Sequence, residues 1–64
     1  MVDLMTLPET VAFTGIPEGT LRRWRLHGTG PQSAKVGKRI YYRRRDILEW
    51  LDMQFAEARN KKPR

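Results

Sequence analysis

Gly15-Ile16-Pro17-Glu18-Gly19-Thr20-Leu21-Arg22-Arg23-Trp24-Arg25-Leu26-His27-Gly28 is the stretch on which the fold turns. Gly15 is the residue type that takes a left-handed cap without strain, so one helix should stop there. Gly15-Ile16-Pro17 is then a tight turn, with Ile16 pointing inward and Pro17 opening a second helix. That helix runs to Leu26 or His27, where Gly28 ends it. On a 3.6-residue wheel Leu21 and Trp24 fall together with Pro17 and Gly28, while Gly19, Arg22, Arg23 and Leu26 fall opposite. The apolar side is the core side and the arginine side looks outward. Two short helices joined by a glycine turn make a helix-turn-helix.

Upstream, Thr6 with Glu9 three residues later is a capping box, and Pro8 sits in the first turn, where a missing N–H does no harm. The first helix therefore spans about Leu7 to Thr14. At two turns it cannot hold alone in water and must pack against the downstream elements.

Downstream, Thr29-Gly30-Pro31-Gln32 reads as a loop, and Ser33 to Arg43 as a hairpin around Gly37. A two-residue loop would pair Val36 with Arg39. A three-residue loop pairs Val36 with Ile40 and Ala34 with Tyr42, and is preferred because it gathers Ala34, Val36, Ile40 and Tyr42 on one buried face. Lys35, Lys38, Arg39, Tyr41 and Arg43 then lie on the wet face or the tip. The last helix runs from about Arg44 to Ala58, with Ile47, Trp50, Leu51 and either Gln54 or Phe55 inward. The expected core is Leu21, Trp24, Val36, Ile40, Ile47, Trp50 and Leu51. Residues 1–58 form the domain, and residues 59–64 read as a disordered basic tail with nothing to bury. The expected fold class is mainly α with a small β-hairpin, a winged helix-turn-helix of three helices and a two-stranded wing.

Sixty-four residues hold one domain and one small core, with no room for an enzyme cleft of ordinary size. The absence of cysteine removes disulfides and thiolate metal sites and fits a reducing, cytoplasmic setting. Apolar runs are far short of the ~20 residues of a membrane span, and the N-terminus lacks a secretory pattern, so a soluble intracellular protein is expected.

The formal charge is +6, but its distribution says more. Residues 1–21 carry Asp3, Glu9 and Glu18 and no Lys or Arg; residues 22–45 carry nine Lys or Arg and no acid. Such a one-signed block repels itself unless a polyanion relieves it. Nucleic acid is the expected partner. An anionic membrane is the competitor, disfavoured because the cations lie across a helix, a loop and a hairpin rather than along one amphipathic helix.

An arginine fork bonds guanine O6 and N7 together in the major groove, which admits one helix. Arg22 and Arg23 are the candidates for base reading, with Glu18, Gly19 and Thr20 near the same helix start; an ordinary solvated helix face is the bland alternative. Arg25 lies nearer the core edge, suited to a phosphate contact or to packing of its stem. Lys35, Lys38 and Arg39 at the hairpin, with Tyr41 on its wet side, fit a wing reaching a phosphate or the minor groove, or a merely solubilising tip. Arg43, Arg44 and Arg45 at a helix start could hold a phosphate or form a solvated run. The tryptophans lie on core stripes rather than a base-stacking platform, which disfavours RNA. His27, the one histidine, suits a helix end. No catalytic, metal or cofactor constellation is visible, so no enzyme and no cofactor are expected.

The order G-I-P turn, T-L-R-R-W-R helix, H-G-T-G-P loop, K-V-G-K-R-I-Y-Y-R hairpin and R-R-D-I-L-E-W-L helix resembles the excisionase family, small winged-helix proteins allied to MerR-type domains and AlpA-like phage regulators. The resemblance covers residues 4 to 52 and departs from the common pattern at Thr10, Thr14, Pro17 and Arg43. It implies binding of double-stranded DNA by the second helix with the hairpin as wing. It also implies a phage or prophage factor in the bacterial cytoplasm that binds near an attachment site, bends it and turns an integrase toward excision. The alternative is a small AlpA- or MerR-like transcriptional regulator. One short recognition helix and a wing make too small a footprint to select a genomic site. The expectation is therefore a monomer when unbound and a cooperative row of copies on DNA.

Overall fold

The computed structural model describes residues 3–60. Its elements run in the order β1 (Leu4–Thr6), α1 (Leu7–Thr14), α2 (Glu18–His27), β2 (Ser33–Val36), β3 (Arg39–Arg43) and α3 (Arg44–Asn60). This is mainly α with a small antiparallel sheet, a winged helix-turn-helix.

The start of α1 is fixed by side chains. Glu9 Oε1 accepts the Thr6 N–H at 2.8 Å, and Thr6 Oγ1 accepts the Glu9 N–H at 3.3 Å. The other end closes at Gly15, whose φ of 77° lets its N–H reach Val11 O at 2.7 Å. Thr10 is fully buried on α1, yet its hydroxyl donates to Thr6 O at 2.9 Å. A hydroxyl satisfied in this way can replace an aliphatic side chain in the core. Thr14 repeats the bond one turn on, donating to Thr10 O at 2.8 Å while accepting the Ile16 N–H at 3.1 Å. The turn into α2 is thus anchored by the last side chain of α1.

Pro17 is the cap of α2 rather than its first residue, and Leu21 N–H donates to Pro17 O at 3.1 Å. After Gly28 the chain doubles back under the helix, with Thr29 N–H donating to Trp24 O at 2.8 Å. Gly30 then lies flat on an indole: a Cβ built there would stand 2.7 Å from Trp24 Cε3, and its φ is +78°. The Trp24 ring meets Trp50 at 5.3 Å between centroids, tilted by 51°, which joins α2 to α3.

Two expectations about the sheet are corrected. First, the wing has three strands in the order β1-β3-β2, with Leu4 opposite Arg43, Met5 opposite Tyr42 and Thr6 opposite Tyr41. Second, the hairpin takes the two-residue loop: Val36 pairs with Arg39, Lys35 with Ile40, Ala34 with Tyr41 and Ser33 with Tyr42. Gly37 has φ 64° and Lys38 does not share it, the pattern of a II′ turn, whose twist matches its strands. The preferred register assumed that β2 had to bury Ala34 and Val36. With β1 present, the central strand is β3, and its inward residues find Met5 on one side, so β2 is left as an edge.

Met5, Tyr42 and Ile47 form the core cluster, flanked by Leu7, Ile40 and Leu51, and Leu21 and Thr10 are buried as well. Val36, expected in the core, is 55% exposed, because the observed register turns it to the face away from Ile40 and Tyr42. Trp24 and Trp50 are half-buried. The inner stripe of α3 ends at Leu51; Gln54 and Phe55 are exposed, because the helix has run past the body of the domain. Arg59 and Asn60, expected in a tail, are the last helical residues. The rest of that tail, 61–64, lies outside the described residues. No described helix is long and apolar enough to cross a membrane.

Candidate nucleic-acid interface

α2 turns Glu18, Gly19, Arg22, Arg23 and Leu26 to solvent, with Thr20 and Arg25 half-buried at its margins. Leu21 sets this orientation, since it is 1% exposed and must face the core. Arg22 and Glu18, one helical turn apart, form an exposed pair, with Arg22 Nη2 2.6 Å and Nε 2.9 Å from Glu18 Oε2. Arg23 makes no ion pair among the described residues, so its guanidinium stands in solvent without a competing carboxylate. Two arginines adjacent in sequence thus present different chemistry.

At the hairpin tip, Lys38 occupies the second loop position and Arg39 opens β3. The tip lies near α2, because a cleft of about 210 Å³ is lined by Arg22 and Arg25 from α2, Arg39 and Ile40 from β3, and Leu7 and Pro8 from the start of α1. Three arginines from two elements therefore line one open cleft, beside Leu7, Pro8 and Ile40. Cations converging from separate elements on a surface cleft suit a phosphate oxygen, which a guanidinium binds with two donors. Glu18 already neutralises part of this field through Arg22. Lys35 is exposed on edge strand β2, and Tyr41 is half-buried opposite Ala34.

Tyr42 supports this arrangement from within. Burial pushes its hydroxyl above the usual tyrosine range, and the nearby charge of Arg25 and a hydrogen bond with Ser33 offset part of that push. The phenol is neutral near pH 7 with or without this shift, and what it adds here is its place beside Arg25.

Arg43, Arg44 and Arg45 are placed differently. They stand at the opposite end of β3 from the tip, about 13 Å along the strand. Arg43 Nε donates to Asp46 Oδ2 at 2.6 Å, and Asp46 is only 13% exposed. Arg44 lies 3.9 Å from Asp3 and sits over the Phe13 ring at 5.1 Å, while its backbone N–H donates to Asp3 O at 2.8 Å. Arg45 is exposed. The structure therefore brings Arg22, Arg25 and Arg39 together and leaves this triplet apart.

Sequence reasoning missed Leu7 and Pro8 as part of the cleft. Their neighbourhood to Ile40 arises from β1 lying against β3, and a three-residue strand without a turn signal leaves no mark to read.

Residues 4–54 match the family model described as a helix-turn-helix domain, and the chain belongs to that family. No curated protein and no solved structure matches it. With the basic outer face of α2 and the wing beside it, membership supports sequence-specific binding of DNA.

Proposed function

We propose that this member of the helix-turn-helix domain family is an architectural DNA-binding protein of recombination, an excisionase that binds near an attachment site, bends the duplex and turns an integrase toward excision. The observation that carries the DNA-binding part is the cleft where Arg22, Arg25 and Arg39 meet. α2 enters the major groove with Arg23 forked onto a guanine and Arg22 held in place by Glu18. Lys38 and Arg39 reach a phosphate or the adjoining minor groove, and a phosphate between helix and wing occupies the cleft. Phosphates are then neutralised on one side of the duplex only, which favours bending toward the protein at a cost set by local DNA flexibility. The recombination part is supported by the ordered motifs of residues 4 to 52 and their resemblance to excisionases.

The test has two stages. Duplexes selected from a random library by the protein should share a site, and circular permutation of that site in a mobility shift should show a bend. The protein is then added to integrase reactions run in both directions. A raised ratio of excision to integration is the expected result. An unchanged ratio, with repression of a promoter carrying the selected site, would give the protein to transcriptional control instead.

A further inference from the structure

Leu26 is 78% exposed, more than any other large apolar side chain among the described residues, and it stands on the outer face of α2. A lone leucine in solvent is ordinary on a protein surface. Its surroundings here are not. The other exposed residues of α2 are Glu18, Gly19, Arg22, Arg23 and, at its last position, His27, so a single branched alkyl group is set into a face otherwise made of polar side chains and a glycine.

Helical geometry fixes where that group lies. With 3.6 residues to the turn, Leu26 falls between Arg22 and Arg23 in angle, about 6 Å beyond the first and about 4.5 Å beyond the second along the axis. Helical side chains lean toward the N-terminus, so its methyl groups cover the turn that carries the two arginines. Arg22 does not shield them, because its guanidinium reaches back to Glu18, with Nη2 2.6 Å from Oε2. The alkyl group is thus central to the basic face and uncovered.

The edges that base pairs show in the major groove are donors and acceptors, with one apolar group among them, the C5-methyl of thymine. We infer that Leu26 is a specificity-determining residue that packs on a thymine methyl, about one or two base pairs from the guanine held by Arg23. The inference deepens the DNA-binding reading and rests on it. Ten residues make α2 about 15 Å long, comparable with the ~12 Å width of the groove, so its last turn stays over base edges while its first turn meets them. The offset of about 4.5 Å from Arg23 lies between one and two of the ~3.4 Å steps of a strand. Leucine also acts against the other bases. Laid over a guanine O6 or a cytosine amine it displaces water and returns no hydrogen bond, so the same side chain favours thymine and penalises its competitors. A protein surface cannot take this place while DNA is bound, since the groove that receives Arg22 and Arg23 occupies the same ground.

The experiment uses the full chain and a selected duplex in which each thymine in turn is replaced by deoxyuridine. That replacement deletes one methyl group and leaves base pairing and phosphates as they were. For the wild type, one position close to the guanine whose preference Arg23→Ala flattens should weaken binding roughly 4-fold, the worth of one buried methyl. Leu26→Ala, an exposed change to a strong helix former, should stay folded by circular dichroism. It should bind the thymine duplex more weakly to a similar degree and no longer distinguish thymine from uracil at that position. Sites it selects from a random library should vary there, while the guanine is retained. A wild type indifferent to uracil at every position would overturn the inference. So would uracil sensitivity that persists in Leu26→Ala, which would assign the methyl to another side chain such as Thr20. A loss with Leu26→Ala that is the same on thymine and uracil duplexes would also overturn it, by making Leu26 a contact to something other than a base. Failure of the wild type to bind any selected duplex would instead strike the DNA-binding reading.

Discussion

The basic stretch from Arg22 to Arg45 divides into two regions of similar composition and different circumstance. Around the cleft between α2 and the wing tip, the one internal ion pair is Arg22 with Glu18, both more than half exposed. At the start of α3, Arg43 is tied to a nearly buried Asp46 and Arg44 is spread between Asp3 and the Phe13 ring. Charge density along the chain treats the two alike. What separates them is whether the fold already supplies a counter-charge, and an exposed pair one turn apart holds only about 0.2–0.5 kcal/mol against an incoming phosphate.

The largest effect that would break this comparison is salt. With about five phosphates contacted, the affinity should fall roughly 500-fold between 50 and 200 mM salt, a log-log slope near −4.5. Arg39→Gln should make that slope shallower by about 0.9, while Arg43→Gln should leave it as it was. Equal slopes for the two variants would erase the distinction between the regions. Fluorescence anisotropy over a salt series is the measurement.

Within the cleft region, Arg23→Ala should cost about 1–3 kcal/mol on a selected site and flatten its preference over random DNA. Lys38→Ala should weaken both DNAs to the same degree, as a phosphate contact does. A selective loss with Lys38→Ala would make the wing a reader of sequence.

At the other region the effect should appear in stability. Arg43→Ala should lower the unfolding free energy by about 0.5–1 kcal/mol in urea, since it strands a largely covered carboxylate, with DNA binding per folded molecule unchanged. The smallest effect belongs to Glu18→Gln. It releases Arg22 and removes a negative charge from the groove side, so affinity for random DNA should rise by about twofold while discrimination falls. Unchanged discrimination would show that Glu18 does not position Arg22.

How far the sequence could be read depends on the range of each interaction. The ends of α1 and α2 were legible because Thr6 with Glu9, Gly15 and Gly28 act within one turn of chain. Glu18 with Arg22 acts over the same range, four residues apart, yet the wheel reading set both toward the groove and did not pair them. β1 was not legible: its partner strand lies nearly forty residues on, and Leu4-Met5-Thr6 is too short to show alternation. The hairpin register failed as a consequence, since burial was reasoned for two strands when β3 sits between two others. Phe55 misled because apolar spacing marks a face without saying where the core beneath it ends. Of the candidate site, the arginine face of α2 was visible on a helical wheel, whereas the meeting of Arg25 with Arg39 depends on how the sheet closes.

That closure also bears on how the chain folds. α1, α2 and their turn are built from near neighbours and can form on the timescale of local helix contacts. The sheet is finished only when Leu4 meets Arg43, and drawing together ends separated by that much chain costs about 3 kcal/mol of loop entropy before any strand bond repays it. Docking of β1 is therefore the late, slow event in a domain whose helical content alone suggests a fast folder. Until it happens Met5 is missing from the core, Tyr42 lacks a cover on one side, and the arginines of α2 and the wing are not yet held along one cleft.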